Sequence, residues 1–387
     1  MKIAIYLDGA NQAIDNAMQW HVMYEIASSL TSFCEVEVID SNKLGSESAK
    51  AKLIAQRYDL LITYNKSALE LQNTSGENII SMITKPHLCW LVEHPVTFYD
   101  QYKNSESSNR HYLFTNISHE NFKTAVGLAG GCSALLFGSK KLNSSIKFKS
   151  RPIDICIAAQ WRGLPYENEF WRNQTGITKE FFESVADYQN IEENKDTFSA
   201  YLEVARILNI NLRDIRTHLR FMKVLYWHAR KHERIKVVQD MVATGLTVAL
   251  IGGDSWKQVL PNYDNVIFIE PCKHETLLEY YQQSKAVVAT NCSNGACERV
   301  FDAMAAGAIA LTENSFNLDN YISDEPILIK YQQLEAYKIN NTIVDCILGQ
   351  TGAPLAERGH VEFLEKHTWE QRAVSLFSIL TELNSQL

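Results

Sequence analysis

The chain alternates short apolar runs with longer amphipathic stretches. This alternation is typical of parallel β-sheets whose strands are joined by crossover helices, so the sequence predicts an α/β fold. Apolar side chains at helical spacing over 19–30 predict a helix directly after the first strand. In the first part of the chain the apolar runs predict strands at 2–7, 35–40, 60–65, 88–93, 111–116 and 134–138.

The second part of the chain restarts the same alternation after a long interruption. A strand is predicted at 153–159, and residues 165–245 then favour helices, which predicts a helical insertion. Within it, 216–244 fits either one long helix or two. The chain ends in a helix that begins near 367. Strands are predicted to resume at 247–252, 265–270, 286–291, 308–313 and 327–331.

Length indicates two domains, because single hydrophobic cores stop growing at roughly 250 to 300 residues and this chain has 387. The polar, basic stretch 138–151 fits an interdomain connection with a boundary near 145. We therefore expect two Rossmann-like domains facing a cleft. The predicted parts are an N-terminal domain, 1–145, a C-terminal domain with the helical insertion, 146–370, and a C-terminal helix that can return to the N-terminal domain, 371–387.

Composition and charge exclude several classes of protein. The net charge of −8 disfavours a nucleic-acid binder, which needs a basic surface to neutralise phosphates. The eight cysteines form no CxxC pair, so we expect reduced core thiols and no metal site. No apolar window approaches the ~20 residues that span a bilayer, and the N-terminus does not resemble a signal peptide. These features predict a cytoplasmic protein.

The basic stretch 138–151 leaves two interpretations open. Its lysines fit a solvated linker, or they fit a peripheral contact with anionic lipid at the inner face of the membrane.

The segment 291–313 is the strongest candidate for chemistry. A predicted strand ends at Asn291, a loop of small residues follows, and a predicted helix then begins near Glu298. A small-residue loop lets an anion approach the backbone, and the free N–H groups at a helix N-terminus hold it. The alternative is that the loop only turns the chain and that the small residues of the helix pack it on the sheet. The candidate anion-binding residues are Asn294, Gly295, Ala296, Glu298 and Arg299.

The order of features over 246–313 resembles the donor-binding half of GT-B glycosyltransferases, in particular glycosyltransferase group 1. ALIGGD resembles the family's strand ending in glycines, and NVIFIEPCKHETLLEYYQQSKAVVAT resembles its strand, loop, helix and buried strand. ERVFDAMAAGAIALTE resembles its acidic residue before Ala-Met-Ala, its glycine and the next strand. The C-terminal HTWEQRA is similar to the closing helix of the CgeB group. The resemblance implies a GT-B fold and a nucleotide-sugar donor.

Carried onto this sequence, the resemblance places Asp302 at the acidic position that holds the donor's ribose. Retaining members have a second glutamate eight positions earlier, where this chain has Asn294. Glu298 is a candidate replacement, so the stereochemical outcome stays open.

The resemblance also places two loops beside the donor. Pro271 and Cys272 would lie along the nucleotide base, and the backbone groups of Gly252 and Gly253 would contact the donor. The two residues that follow Cys272 fit a solvated loop as well as a donor contact, and neither is assigned a role.

Arg162 is the candidate ligand of the donor's diphosphate. It follows the strand at 153–159, where the resemblance implies a cation, and a guanidinium binds phosphate oxygens in a bidentate manner. The alternative is a surface arginine at the start of the insertion.

On the acceptor side, Glu93 and His94 follow the strand at 88–93, and either can be the base that takes the acceptor's proton. His94 can instead bind the sugar, or serve only as a structural histidine before a proline. Asp8, after the first strand, is the next candidate, with helix capping as its alternative role.

These observations predict a metal-independent, hexosyltransferase-type glycosyltransferase without a cofactor. Its partners would be a nucleotide-sugar donor and a glycan, lipid-linked glycan or protein acceptor. The alternatives are a nucleotide-sugar 2-epimerase and a non-catalytic sugar-binding or assembly protein. The aromatic-rich insertion would pack on its own domain, form a homodimer surface or provide an acceptor-binding wall.

Overall fold

The chain folds into two compact units. A computed structural model describes residues 1–8, 17–107, 109–116, 118–143, 146–161, 163, 169–191, 196–260, 263–290, 297–313, 316–322, 326–331 and 336–385. Unit 1 consists of residues 1–138 and 368–387, and unit 2 consists of residues 139–367.

Each unit is built on one sheet of six parallel strands. In unit 1 the strand order is β2-β1-β3-β4-β5-β6, and in unit 2 it is β12-β11-β10-β7-β8-β9. The unit 1 strands are β1 (Lys2–Leu7), β2 (Glu35–Asp40), β3 (Leu60–Tyr64), β4 (His87–Leu91), β5 (Arg110–Phe114) and β6 (Gly131–Ala134). The unit 2 strands are β7 (Ile153–Ala158), β8 (Val248–Ile251), β9 (Val266–Ile269), β10 (Ser284–Ala289), β11 (Ile309–Glu313) and β12 (Ile329–Tyr331).

Parallel pairing requires a crossover connection between strands, and in most of the connections here that crossover contains an α-helix. In unit 1 and in the insertion the helices are α1 (Ala17–Leu30), α2 (Ser41–Leu44), α3 (Ser46–Ala55), α4 (Tyr99–Asn104), α5 (His119–Val126), α6 (Gly176–Ile191), α7 (Thr197–Ile207) and α8 (Leu219–Val242). The remaining helices are α9 (His274–Gln282), α10 (Glu298–Ala305), α11 (Phe316–Asp319), α12 (Ala336–Leu348), α13 (Gly352–Lys366) and α14 (Trp369–Ser385).

The predicted strand at 134–138 is wrong. β6 occupies Gly131–Ala134, and only Ala134 belongs to both ranges. A side chain at position 130 would lie 2.0 Å from the Arg110 carbonyl oxygen, so glycine lets β6 begin close against β5. β5 ends at Phe114, whose carbonyl accepts a last hydrogen bond from the Leu135 N–H at 2.9 Å. The apolar run beyond Leu135 therefore has no neighbouring strand to pair with.

The helical insertion lies between β7 and β8 and contains α6, α7 and α8. For residues 216–244, where the sequence fits one long helix or two, the structure has one, because α8 runs unbroken for 24 residues. Its last turns, from Val237 to Val242, pack in the core under β7 and β8, so α8 is also the crossover helix of those strands. In the described part of the chain no helix has the length and apolarity needed to cross a membrane.

The C-terminal helix α14 packs within unit 1. The rings of Phe33 and Phe377 lie 5.2 Å apart, and Arg372 Nε donates to the Phe137 carbonyl at 2.7 Å. A Cβ at Gly138 would lie 3.0 Å from Arg372 Cγ and 3.1 Å from the Thr368 backbone. Glycine at this position permits the close packing of α14.

Candidate functional site

Helix α10 begins beyond the carboxyl end of β10 in unit 2. β10 pairs with β7, so the chain leaves both strands at neighbouring positions on one edge of the sheet. Cys297 is the N-cap residue and provides no side-chain hydrogen bond to the helix. The Val300 N–H donates to the Cys297 carbonyl at 3.2 Å, so the N–H groups of Glu298 and Arg299 are the candidates for binding an anion. The predicted anion-binding residues Asn294, Gly295 and Ala296 lie outside the described residues.

The first turn of α10 carries one charge of each sign. Arg299 Nη2 lies 3.7 Å from Glu298 Oε1, and both side chains are partly buried. Burial is the largest influence on the pKa of the Arg299 guanidinium and lowers it, but Glu298, Cys297 and Tyr281 together raise that pKa above its ordinary value. Arg230 of α8 is a second positive charge and lowers the pKa of Arg299. Two guanidinium groups from different helices, Arg299 of α10 and Arg230 of α8, are thus close enough at the N-terminus of α10 for their charges to interact.

Asp302, one turn further along α10, is 2% exposed and bonded through both carboxylate oxygens. Its Oδ1 accepts the Ser139 hydroxyl at 2.5 Å, and its Oδ2 lies 2.9 Å from His274 Nε2. A ribose hydroxyl would therefore reach an oxygen that is already engaged by the protein. The ribose contact predicted for Asp302 stays a prediction, and the structure adds two partners that the sequence pattern did not assign.

His274 is a buried residue that the sequence reasoning left without a role. It is the first residue of α9 and is 5% exposed, which does not fit a solvated loop. Burial lowers the pKa of His274, whereas its contact with Asp302 and the nearby Glu298 and Glu275 raise it; the pKa lies above its ordinary value. The charged imidazolium therefore offsets the buried carboxylate of Asp302.

Gly252 and Gly253 use their N–H groups within the fold. Both N–H groups donate to the Ile269 carbonyl at 3.0 Å, so neither is available to a donor without losing that bond. A Cβ at Gly252 would lie 2.0 Å from the Ala159 carbonyl oxygen, and Gly253 has a φ of +86°. Close backbone packing explains Gly252, and the positive φ explains Gly253. The donor contact predicted for their backbone groups stays a prediction.

Pro271 and Cys272 follow β9 and are both partly buried. Burial raises the pKa of the Cys272 thiol, with a smaller contribution from Glu279, so the thiol stays neutral. A neutral thiol and a proline ring are both apolar groups, which suits contact with a nucleotide base. The contact with a nucleotide base remains a prediction for these two residues.

Arg234 of α8 reaches the carboxyl end of β7. Its Nη1 donates to the Gln160 carbonyl at 3.3 Å, directly after the strand. Arg162, the predicted diphosphate ligand of this loop, lies outside the described residues. Arg234 and Arg230 are four residues apart on α8 and so lie on one side of the helix. Sequence reasoning missed both, because only the fold shows where α8 runs.

In unit 1, the carboxyl end of β4 is organised by Asn65. The side-chain oxygen of Asn65 accepts the Val92 and Glu93 N–H groups at 2.9 and 3.3 Å. This fixes the backbone of Glu93, which is partly exposed at the end of the strand. Asn65 has a φ of +48°, a conformation that asparagine tolerates better than most residues. An asparagine directly after a strand is the sequence signal that could have identified this turn. Asp8, at the end of β1, is also partly exposed.

His94 is 1% exposed and caps the short helical turn that follows it. Its Nδ1 accepts the Val96 N–H at 3.1 Å, which places the proton of a neutral ring on Nε2. His94 packs against the ring of His119 at 4.8 Å. Burial, and to a lesser degree His94, holds the pKa of His119 well below its usual range. His94 is therefore arranged as a hydrogen-bond donor rather than as a proton acceptor.

Among the residues that the structure describes, no group of three or more His, Cys, Asp or Glu side chains is arranged to hold a metal ion.

Comparison with known proteins assigns the fold. Residues 230–378 match the protein family described as glycosyl transferase-like, a range that includes α9, α10 and the end of α8. No curated protein sequence matches the chain.

Solved structures resemble the whole chain. Sucrose-phosphate synthase of Thermosynechococcus elongatus has a TM-score of 0.60 and 11% identity, over 100% of both chains. HepE of Anabaena, in complex with UDP and glucose, has a TM-score of 0.54 and 12% identity over 99% of this chain and 100% of its own. The DNA-modifying enzyme β-glucosyltransferase has a TM-score of 0.55 and 12% identity over the same shares. At such identities the likeness shows the fold, and the predicted GT-B fold of two Rossmann-like domains is confirmed.

Proposed function

We propose that this chain is a glycosyltransferase that moves a sugar from a nucleoside-diphosphate sugar to a hydroxyl group of an acceptor. The glycosyl transferase-like match and the GT-B fold support this function. HepE, with the same fold, is described in complex with UDP and glucose. We take a UDP-hexose as the first donor to test.

The observation that carries the proposal is the positive charge at the N-terminus of α10. Arg299 lies in the first turn of that helix, and Arg230 is close enough to act on its charge. Two guanidinium groups repel each other, and a bound diphosphate would offset that repulsion while the helix N–H groups donate to its oxygens.

The same charges support a mechanism that needs no metal. The leaving diphosphate gains negative charge as the glycosidic bond breaks, and cations already in position stabilise it without rearranging. In this proposal Arg299 and Arg230 take that role, and Arg162 remains a further candidate. Addition of EDTA would leave turnover unchanged, and a loss of activity restored by Mg²⁺ or Mn²⁺ would contradict metal independence.

For the general base we favour Glu93 over His94. A base needs a free lone pair, and the Nδ1 lone pair of His94 accepts the Val96 N–H. A carboxylate has about four lone-pair positions, so Glu93, after β4, can accept a proton in addition to the bonds it makes. His94 would instead donate from Nε2 to a substrate oxygen, and Asp8 is the remaining candidate base.

The donor site can be tested by calorimetric titration with UDP-glucose, GDP-mannose and a CMP-linked sugar. We expect one donor to bind with a Kd in the micromolar to millimolar range typical of enzyme substrates. Arg299→Gln should weaken binding by roughly tenfold or more, because charge-assisted hydrogen bonds contribute about 1.5 to 3 kcal/mol. Arg206→Gln is the matched control, since Arg206 is an exposed cation that pairs with Glu203 on α7. Absence of binding for all three donors would contradict the proposal.

The acceptor is a glycan, a lipid-linked glycan or a protein, and the site is proposed to act in the cytoplasm. A peripheral contact with the inner face of the membrane would suit the lipid-linked acceptor.

A further inference from the structure

Asp302 links α10 to the first residue of unit 2. Ser139 opens unit 2, and its hydroxyl donates to Asp302 Oδ1. The N–H of Ser139 donates to the carbonyl of His367, the last residue of the unit, at 3.2 Å. The His367 ring packs against Phe301, the neighbour of Asp302 on α10, at 5.0 Å between ring centres. The middle of α10 is thus joined to both ends of the chain segment that forms unit 2.

The second carboxylate oxygen of Asp302 links α10 to α9. His274 is the first residue of α9, so its 2.9 Å contact with Oδ2 fixes the start of one helix against the middle of the other. Glu298 is the first residue of α10, and Asp302 lies one helical turn after it. Any rotation or shift of α10 would therefore break one of these two bonds, each of which is buried and involves a charged group.

We propose that Ser139 and His274 are positioning residues for the nucleotide-sugar donor: by holding both oxygens of the Asp302 carboxylate, they fix where the N-terminal turn of α10 meets the diphosphate. The inference rests on the proposed function and names two residues that act through Asp302. Neither needs to touch the donor. Asp302 itself acts here by orienting α10, since its oxygens are engaged before a donor arrives.

Electrostatics supports this arrangement. Three carboxylates raise the pKa of His274, those of Asp302 and Glu298 on α10 and of Glu275 on α9. Arg299, in the first turn of α10, brings the nearest positive charge to Glu298. Loss of the imidazolium charge would leave the buried Asp302 carboxylate with neutral partners alone, the Ser139 hydroxyl and the imidazole, and an uncompensated buried charge drives structural rearrangement. Donor affinity should therefore depend on the protonation of His274.

The test is calorimetric titration of UDP-glucose into wild type, His274→Gln and Ser139→Ala between pH 6 and pH 8.5. UDP-glucose keeps the charge of its diphosphate over this range, so a pH effect arises from the protein. We expect His274→Gln to bind about tenfold more weakly at pH 6. The difference from wild type should narrow as pH rises, because the imidazolium is lost as pH passes through its folded-state pKa. Ser139→Ala should weaken binding at every pH.

His218→Gln is the matched control. His218 Nδ1 lies 2.9 Å from the Tyr201 hydroxyl in the insertion, the same separation as that between His274 and Asp302. The His218→Gln variant should bind UDP-glucose with wild-type affinity. Should His274→Gln fail to fold, Ser139→Ala carries the test alone, because removal of one hydroxyl leaves the charge pair in place.

Variants that melt at lower temperature yet bind UDP-glucose with wild-type affinity would overturn the inference, since they would show a structural role only. Absence of binding by the wild type for every donor would instead contradict the proposed function.

Discussion

The guanidinium of Arg151 donates from Nη2 to the carbonyl of Ala306, the C-cap residue of α10, at 2.9 Å. Its Nη1 donates to the Ser284 carbonyl at the start of β10 at 2.7 Å. Burial lowers the pKa of Arg151 to about 10, so the group remains charged at neutral pH. A cation therefore satisfies the C-terminal carbonyl end of the helix whose N-terminus we assign to the donor.

Arg151→Met should destabilise unit 2. The substitution leaves the Ser284 and Ala306 carbonyls buried without donors, which costs about 2 to 4 kcal/mol in the free energy of unfolding. Denaturant titration monitored by circular dichroism measures this loss. Arg206→Met, at an exposed position, is the control and should show no measurable change. An Arg151→Met protein as stable as the wild type would show that water replaces the guanidinium.

His119 should make unit 1 sensitive to acid. The ring is 1% exposed, neither ring nitrogen has a hydrogen-bond partner among the described residues, and burial holds its pKa well below its usual range. The unfolded state binds a proton below about pH 6.5 while the folded state does not, so stability falls as pH decreases through that value. His119→Phe removes this proton uptake.

The comparison is thermal unfolding of wild type and His119→Phe from pH 7.5 to pH 5. The wild type should lose up to about 1.4 kcal/mol more per pH unit below pH 6.5 than the variant does. His87 is also buried, and burial and Arg110 hold its pKa well below its usual range. His87 remains in both proteins, so some acid sensitivity persists in each. Parallel pH profiles would contradict a neutral, buried His119.

Gly252→Ala should be among the most damaging substitutions in unit 2. The new methyl group would lie 2.0 Å from the Ala159 carbonyl oxygen and 2.7 Å from Trp256 Nε1, which itself donates to that carbonyl at 2.6 Å. Such overlap forces the backbone apart and costs several kcal/mol, more than about 3.

Gly245→Ala separates overlap from backbone strain. Gly245 has a φ of +74°, and no atom lies within 4 Å of a Cβ built there. Its replacement should cost only about 1 to 2 kcal/mol, the penalty of the left-handed conformation. Equal melting temperatures for the two variants would show that the strand edge at Gly252 adapts to the methyl group.

Glu93→Gln should lower turnover without weakening donor binding. Loss of a general base reduces rate by about 10²- to 10⁴-fold. Before the acceptor is identified, turnover is followed as hydrolysis of UDP-glucose, in which water receives the glucosyl group and UDP is released. Glu47→Gln, which alters a side chain that is 78% exposed on α3, is the control. Turnover unchanged in Glu93→Gln would assign the base to another residue, with Asp8 the next to replace.

The sequence predicted the framework well because strand formation depends on local apolar runs. The runs at 2–7 and 35–40 became β1 and β2 with the same bounds, since KIAIYL is a nearly continuous apolar run and EVEVID alternates apolar and acidic residues. The run at 134–138 failed because pairing depends on where the neighbouring strand ends, which local sequence does not contain.

The candidate site was less predictable for the same reason. The helix bearing Glu298, Arg299 and Asp302 could be placed from its motif, but the partners of Asp302 lie 28 and 163 residues away in sequence. His274 and Ser139 carry no local signal of such a contact. Arg230 looks like an ordinary helix-surface cation until the position of α8 is known.

The central claim is that the N-terminal turn of α10 binds the diphosphate of a nucleotide sugar, and a crystal structure of the protein with UDP tests it most directly. The account predicts an ordered diphosphate within hydrogen-bond distance of the backbone N–H groups at the start of α10 and of the Arg299 guanidinium. A UDP bound with its diphosphate away from α10, in a protein whose calorimetric affinity for UDP is unchanged by Arg299→Gln, would contradict it.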